Sequence, residues 1–288
     1  MALRHIYTSG PRLNTDSSSR GLCLTPSGRK SKQLTRLESL GIISKVNAAE
    51  FSTTPIVPVL KPNGQVRICG DFKVTVNRYL DLTQYPLPHM EEIFERLSGG
   101  TIYSKLDLRD AYLQVELDEE SKRHVVITTH KGLYRYNRLC FGIASAPAIF
   151  QGIIEQILQS VKGVQPYLDD IALKGINDQD HIQVLRQTFS TLRQAGVKLK
   201  REKCVFMQTS IKYLGHVLDA SGLRPDPEKV EAISKAPPPQ NREQLESFLG
   251  MVQYYGRHVP ELSTLAGPLN ELRRKDSLQV DFETAICF

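Results

Sequence analysis

Apolar residues fall at helical spacing in some stretches and alternate with polar residues in others. Leu34, Leu37 and Leu40 predict a helix over 31–40, with Gly41 placed to cap it. Residues 54–60 are apolar and β-branched but carry Pro55 and Pro58, which predicts an edge strand. Pro62-Asn63-Gly64 then turns the chain into a second strand over 65–69. Pro88 opens a helix through Leu97, with Met90, Ile93, Phe94 and Leu97 on one face and Gly99-Gly100 as its end. Residues 101–108 read as a strand, and 125–129 with 133–139 as a pair of strands around Lys131-Gly132. Ser145 and Pro147 start a helix reaching about Val161, in which Gly152 costs about 1 kcal/mol relative to alanine. The span 178–195 predicts another helix, with Ile182, Leu185, Phe189 and Leu192 inward and Gly196 as cap. Residues 211–218 predict a strand, followed by the turn Asp219-Ala220-Ser221-Gly222.

After Pro225 only helical patterns remain: 226–233, a second helix capped by Asn241, and 266–274, with the stiff break Pro237-Pro238-Pro239 between the first two. This order of hairpin, mixed strands and helices, then helices alone places the chain in the α+β class. Residues 1–30 are rich in Ser, Thr, Gly and Arg without periodicity and are expected to be disordered.

Composition narrows the picture. The chain has 288 residues, of which 40% are hydrophobic, enough for a large core. No apolar run approaches a membrane span, and no membrane partner is expected. The N-terminus carries no secretory apolar core. The five cysteines are scattered, without a C-x-x-C pair, and point to neither a zinc site nor a disulfide framework, so an intracellular setting is expected. The net charge is +6, but residues 1–36 hold seven Arg or Lys against Asp16 and account for all of it. Charge by itself therefore does not imply a nucleic-acid partner.

The candidate chemistry is acidic. Asp169 and Asp170 lie between apolar runs, as at the tip of a tight hairpin, and their repulsion in apolar surroundings would be relieved by a cation. An acidic surface turn reads the same way. Asp107 sits between Leu106 and Leu108 near the end of a predicted strand, where a charge needs a partner. Alone, it fits a structural role as well as a catalytic one. Together the three offer hard oxygen ligands for Mg2+ and a two-metal phosphoryl-transfer site. No pair of histidines has the spacing of a zinc site.

The succession K-L-D-L-R-D-A-Y, F-G-I-A-S-A-P-A-I-F-Q, Y-L-D-D and Y-L-G-H-V-L resembles the reverse transcriptase domain of Ty3/gypsy-type long-terminal-repeat retrotransposons, a segment of a Pol polyprotein, over about 32–282. The resemblance implies a right-hand polymerase with fingers, a ferredoxin-like palm and a helical thumb. Residues 31–225 would form fingers and palm, 226–282 the thumb or connection, and 283–288 an irregular tail.

It also implies RNA-directed DNA polymerase activity, with a template, a primer and dNTPs as partners and two Mg2+ ions, or Mn2+ in their place. Asp107 and Asp169 would bridge the ions and Asp170 complete the set. Tyr112 would stack under the incoming sugar and exclude a 2′-hydroxyl, although a half-buried core tyrosine fits as well. Arg67 and Lys61 would reach the triphosphate from the fingers hairpin. Phe141-Gly142, with Phe150 and Gln151 beyond, would pack under the nascent base pair; core packing is the alternative. Tyr213, Leu214, Gly215 and His216 would form the primer grip. The basic run Arg193, Lys198, Lys200, Arg201 and Lys203 is either a duplex-backbone contact or a solvated charged face.

The chain departs from the family pattern at Pro166, which removes a ladder donor beside the Asp pair and predicts a disturbed strand, and at Cys140, where proline is usual. Two other readings stand beside the polymerase. One is a non-catalytic retroelement remnant that at most binds nucleic acid. The other is a palm-type nucleotide cyclase, which the fingers hairpin and Y-L-G-H segment argue against.

Overall fold

The computed structural model describes residues 27–60, 64, 66–80 and 85–274. Lys61, Pro62 and Asn63 of the expected fingers turn, the first 26 residues and those beyond 274 lie outside the described residues. The described chain packs into two compact units. The first comprises the described parts of 1–97, 105–173 and 182–204; the second comprises 98–104, 174–181 and the described part of 205–288.

In chain order the elements begin with α1 (Ser27–Ser39), β1 (Ile43–Val46), β2 (Thr54–Leu60), β3 (Val66–Gly70), α2 (Met90–Leu97), β4 (Ile102–Asp107) and α3 (Glu119–His124). They continue with β5 (Val126–Thr129), β6 (Gly132–Tyr136), α4 (Ala146–Leu158), β7 (Val164–Tyr167), β8 (Asp170–Gly175) and α5 (Asp178–Gln194). The unit boundary runs through β4, β8 and α5. Helix α1 starts at Ser27, so residues 27–30, expected to be disordered, are helical; Leu34 and Leu37 carry its buried stripe.

In the first unit a five-stranded sheet has the order β1-β6-β5-β2-β3. The expectation of an edge strand over 54–60 is corrected, because β2 lies between β5 and β3. The two prolines explain how. Among the described residues, parallel pairing to β5 covers Thr54 and Pro55, and around Pro58 β2 pairs with β3. The core gathers Leu106, Leu108, Ile154, Leu158, Ile171 and Leu173. On helix α5 Leu185 and Leu192 are buried and Phe189 partly buried, as expected, but Ile182 is 42% exposed and Val184 is buried in its place.

A second sheet has the strand order β7-β8-β4-β9, where β9 is Val205–Gln208. The succession β4, α4, β7, β8, α5, β9 in that order is the βαββαβ, ferredoxin-like arrangement, with α3, β5 and β6 inserted after β4.

The second unit continues with β10 (Ser210–Tyr213), β11 (His216–Asp219) and β12 (Gly222–Pro225), an antiparallel sheet. The single strand expected over 211–218 is thus two strands, broken at Leu214-Gly215 where Gly215 takes φ +71°. Helices α6 (Pro227–Ser234), α7 (Arg242–Tyr254), α8 (Leu262–Leu265) and α9 (Gly267–Arg274) follow. Asp226 and Asn241 cap α6 and α7 with their side chains, and Leu245, Leu249 and Leu272 form a small core. Among the described residues no helix is long and apolar enough to cross a membrane.

Candidate active site

The three acids come together in the first unit through a strand end and a hairpin. β7 and β8 pair antiparallel, with Tyr167 opposite Asp170, so Leu168 and Asp169 are the two loop residues. Leu168 takes φ +52°, a conformation costly for a residue with a Cβ. β4 delivers Asp107 beside this turn: the next amide, Leu108 N–H, donates to the Asp169 carbonyl at 2.8 Å. The Asp107 carbonyl accepts from Lys200 N–H at 2.9 Å, tying the same strand end to the segment after α5.

Each flanking acid has an ammonium counter-ion. Lys203 Nζ lies 3.1 Å from Asp107 Oδ2, and Lys105 Nζ lies 2.8 Å from Asp170 Oδ2. Lys105 precedes Asp107 by two residues, so the strand period puts both on one face. Burial pushes the Asp170 carboxyl up; Lys105 pulls it down, and the charges of Asp169 and Asp107 push it up again. Lys203, read from the sequence as part of a basic run facing either a duplex or solvent, here neutralises Asp107.

Among the described residues no three His, Cys, Asp or Glu side chains are arranged to hold a metal ion as they stand. The donor chemistry nevertheless suits a hard divalent cation: the acids are carboxylates, and cationic groups already sit at two of them.

Beside the acids runs an aromatic file. The Tyr112 ring lies 5.0 Å from Phe141 and 5.5 Å from Phe150, and burial together with the Asp169 charge pushes its phenol up. The Arg67 guanidinium stacks 4.3 Å over the other ring of that pair, Phe141. Arg67, Phe141, Tyr112 and the acids therefore form one contiguous arrangement. Lys61 lies outside the described residues.

The turn after Phe141 is braced by Asn77, whose Nδ2 donates to the Gly142 carbonyl and whose Oδ1 accepts from Ala144 N–H, at 2.8 and 2.9 Å. Gly142 has φ +100°, and a Cβ there would meet the Gly70 carbonyl at 2.6 Å, so no other residue fits. Cys140 is buried, which pushes its thiol well up and leaves it a small core residue.

Pro166 does not break its strand. In an antiparallel pair the residues flanking a two-residue loop exchange hydrogen bonds and the next pair does not. Pro166, opposite Ile171, is in that next pair, so its nitrogen faces away from β8, and β7 is the sheet edge. The predicted disturbance is corrected for this reason.

In the second unit Tyr213 pairs with His216 across the turn Leu214-Gly215. Tyr254 Oη donates to the Leu214 carbonyl at 2.8 Å and Tyr255 Oη to the Gly215 carbonyl at 3.0 Å. His216 is buried, and its Nδ1–H donates to the Leu214 carbonyl at 2.9 Å. Burial holds its pKa below the usual imidazole range, and burial with the neighbouring His216 does the same for His258.

The family model described as reverse transcriptase (RNA-dependent DNA polymerase) matches residues 59–218, more than half of the chain. The chain belongs to the reverse transcriptase family. Members of this family generally use divalent metal ions.

The chain is 41% identical over 230 residues to the uncharacterised protein K02A2.6 of Caenorhabditis elegans. It is 32% identical over 238 residues to the Transposon Tf2-3 polyprotein of Schizosaccharomyces pombe, a relative of the Ty3/gypsy type. These matches cover 80% and 82% of this chain but 18% of either relative, so the chain spans under a fifth of their length. Among solved structures, a foamy viral protease-reverse transcriptase in complex with double-stranded DNA superposes with a TM-score of 0.85 at 23% identity, over 94% of this chain and 47% of that one. The foamy viral enzyme with an RNA/DNA hybrid gives 0.78 at 23% identity, over 90% and 35%. The fold is the right-hand polymerase fold expected from the sequence.

The residues that sequence reasoning missed are Lys105 and Asn77. The period-two spacing of Lys105 and Asp107 was a usable signal; Asn77 meets the site from a distant part of the chain and left none. Lys203 and Gln151 were singled out from their motifs, but the structure gives them other contacts, with the Asp107 carboxylate and with the Leu168 hairpin.

Proposed function

We propose that this chain is the polymerase core of a reverse transcriptase, extending a primer on an RNA or DNA template with dNTPs. The observation that carries the reading is the convergence of Asp107, Asp169 and Asp170 beside Tyr112 and Arg67 in a chain of this family. The reaction joins the primer 3′-oxygen to the α-phosphorus of a dNTP and breaks the bond to pyrophosphate, which departs with the electron pair.

Asp107 and Asp169 would hold divalent ions, with Asp170 beside them, once Lys203 leaves Asp107. When bound, Mg2+, or Mn2+ in its place, supplies Lewis-acid stabilisation of the phosphoryl oxygens. Lys105 keeps Asp170 neutralised meanwhile, which lowers the repulsion among the acids. Arg67 presents its donors to the triphosphate while its plane rests on Phe141. Tyr112, packed between Phe141 and Phe150, is held rigidly enough to exclude a 2′-hydroxyl. The Tyr213–His216 turn, with its backbone fixed by two tyrosines, serves as the primer grip. The 226–274 helices serve as thumb. An intracellular setting belongs to this reading, from the scattered spacing of the cysteines along the sequence.

Primer extension on poly(rA)·oligo(dT) with dTTP and Mg2+ tests the reading. Incorporation that disappears in Asp169→Asn is the expected result. A folded chain that binds the duplex but incorporates nothing would establish a binding remnant instead. Cyclic nucleotide made from NTP without a template would establish a cyclase.

A further inference from the structure

On the open edge of β7 a buried side chain from α4 takes the place of a neighbouring strand, and Gln165 Nε2 adds a bond to the Pro166 carbonyl at 3.0 Å. Gln151 of α4 is fully buried, and its carboxamide spends both ends on the catalytic hairpin. Its Oε1 accepts from Leu168 N–H at 2.7 Å, and its Nε2 donates to the Pro166 carbonyl at 3.0 Å. The second hydrogen of Nε2 goes to Glu155 Oε1 at 2.7 Å. Glu155 is in turn bonded by the Tyr85 hydroxyl. Only one orientation of the amide works, since a flip would set nitrogen against an N–H and oxygen against two acceptors.

Gln151 thus bonds the residues on either side of Tyr167, as a neighbouring strand would. The position matters for the site. Leu168 is the residue at φ +52°, one peptide before Asp169. Asp169 is held from the opposite side by Leu108 N–H, next to Asp107. The turn is therefore clamped between two anchors, one on the Asp107 strand and one on α4. Glutamate would keep the acceptor but lose both donors and face Glu155 with a like charge. Leucine would lose everything but volume.

We propose that Gln151 is a positioning residue that sets the height and strain of the Leu168-Asp169 turn, and through it the Asp169 carboxylate relative to Asp107, without itself touching substrate. Its kinetic consequence rests on the polymerase reading above; its structural consequence does not.

Gln151→Leu and Gln151→Glu, compared with the natural chain, test this by amide hydrogen exchange at Leu168 and by steady-state primer extension. Exchange at Leu168 should quicken about tenfold or more in Gln151→Leu, because its buried acceptor is gone. The kcat should fall about 10- to 100-fold in that variant, with KM for dTTP within about twofold, since a supporting group is lost and no substrate contact is. Gln151→Glu should keep Leu168 protected and still lose kcat, because the carboxylate would repel the Pro166 carbonyl and Glu155, leaving that carbonyl with Gln165 Nε2 alone. Should Gln151→Leu fail to fold, Gln151→Glu decides alone.

Leu168 exchange unchanged in Gln151→Leu, or kcat within about twofold of the natural chain in every folded variant, overturns the proposal. A loss carried by KM instead of kcat also overturns it, since that would mark a substrate contact. If the natural chain does not polymerise, the polymerase reading fails, and Leu168 exchange still decides whether the clamp exists.

Discussion

The hairpins at Tyr167–Asp170 and Tyr213–His216 begin alike and end differently. Both have two-residue loops opened by a leucine at positive φ, +52° at Leu168 and +48° at Leu214. In the first, the second loop residue is Asp169, outside the left-handed region; in the second it is Gly215 at +71°. The second turn, positive at both loop residues, asks for glycine. The first is positive only at Leu168 and leaves its second position to a residue that places a carboxylate at the tip. Their supports differ accordingly. One is held at an N–H by a buried carboxamide, the other at two carbonyls by phenols. A tip that presents a charged side chain is steadied from behind its backbone, whereas a tip that presents backbone is steadied by hydroxyls that leave its outer face plain.

The largest way to sharpen this contrast is to change the second loop residue in each. Asp169→Asn should lower kcat by about 10³-fold or more, since several kcal/mol of charge stabilisation is lost, while the melting temperature stays near that of the natural chain. Gly215→Ala should do the reverse. Its Cβ would lie 2.9 Å from Tyr255 Oη at a φ of +71°, so urea unfolding should show a loss of about 1–3 kcal/mol. Equal loss of activity and stability in both variants would erase the distinction between the turns.

Next come the supports. Tyr254→Phe and Tyr255→Phe each remove one bond to a loop carbonyl and should each cost about 1 kcal/mol in urea. Because the two carbonyls are adjacent, the double variant should depart from the sum of the singles.

The smallest effect is in pH, and it has opposite signs in the two hairpins. The folded pKa of Asp170 is raised, mainly by burial. Its contribution is therefore present below its ordinary value of 3.8 and is lost as pH rises through the raised value. His216 and His258 are depressed, mainly by burial. Their contribution is present above the ordinary 6.5 and is lost as pH falls through the depressed values. Carbon chemical shifts of the Asp170 carboxyl should show titration above 3.8, moving further up in Lys105→Met. Nitrogen shifts of His216 and His258 should show titration below 6.5. Shifts in one common direction would contradict the burial of one hairpin or the other.

Much of this was legible in the chain. The strand bearing Asp107, the Asp pair between apolar runs, helices α4 and α5 and the helical end after Pro225 follow from periodicity, caps and punctuation. Those are local signals, carried within a few turns or a few pairs. The errors were non-local. Pro166 read as a defect because its harmlessness depends on which side of β7 is paired. Pro58 read as an edge marker for all of 54–60 because the partial pairing of β2 with β5 is set by Ile127 and Thr128, far along the chain. Lys203 read as a surface cation because nothing nearby in sequence announces Asp107.

Sequence alone determined the candidate chemistry: three carboxylates, an aromatic beside them, an arginine on a hairpin, and turns able to present them. Their order identified the family. Only the tertiary structure decided which cations neutralise which acids, which edge of β7 stands open and which side chain takes a strand's place there. The reason is physical. Propensity and period act over neighbouring residues, whereas a counter-ion or a backbone clamp is chosen by proximity after folding, and 96 positions separate Lys203 from Asp107.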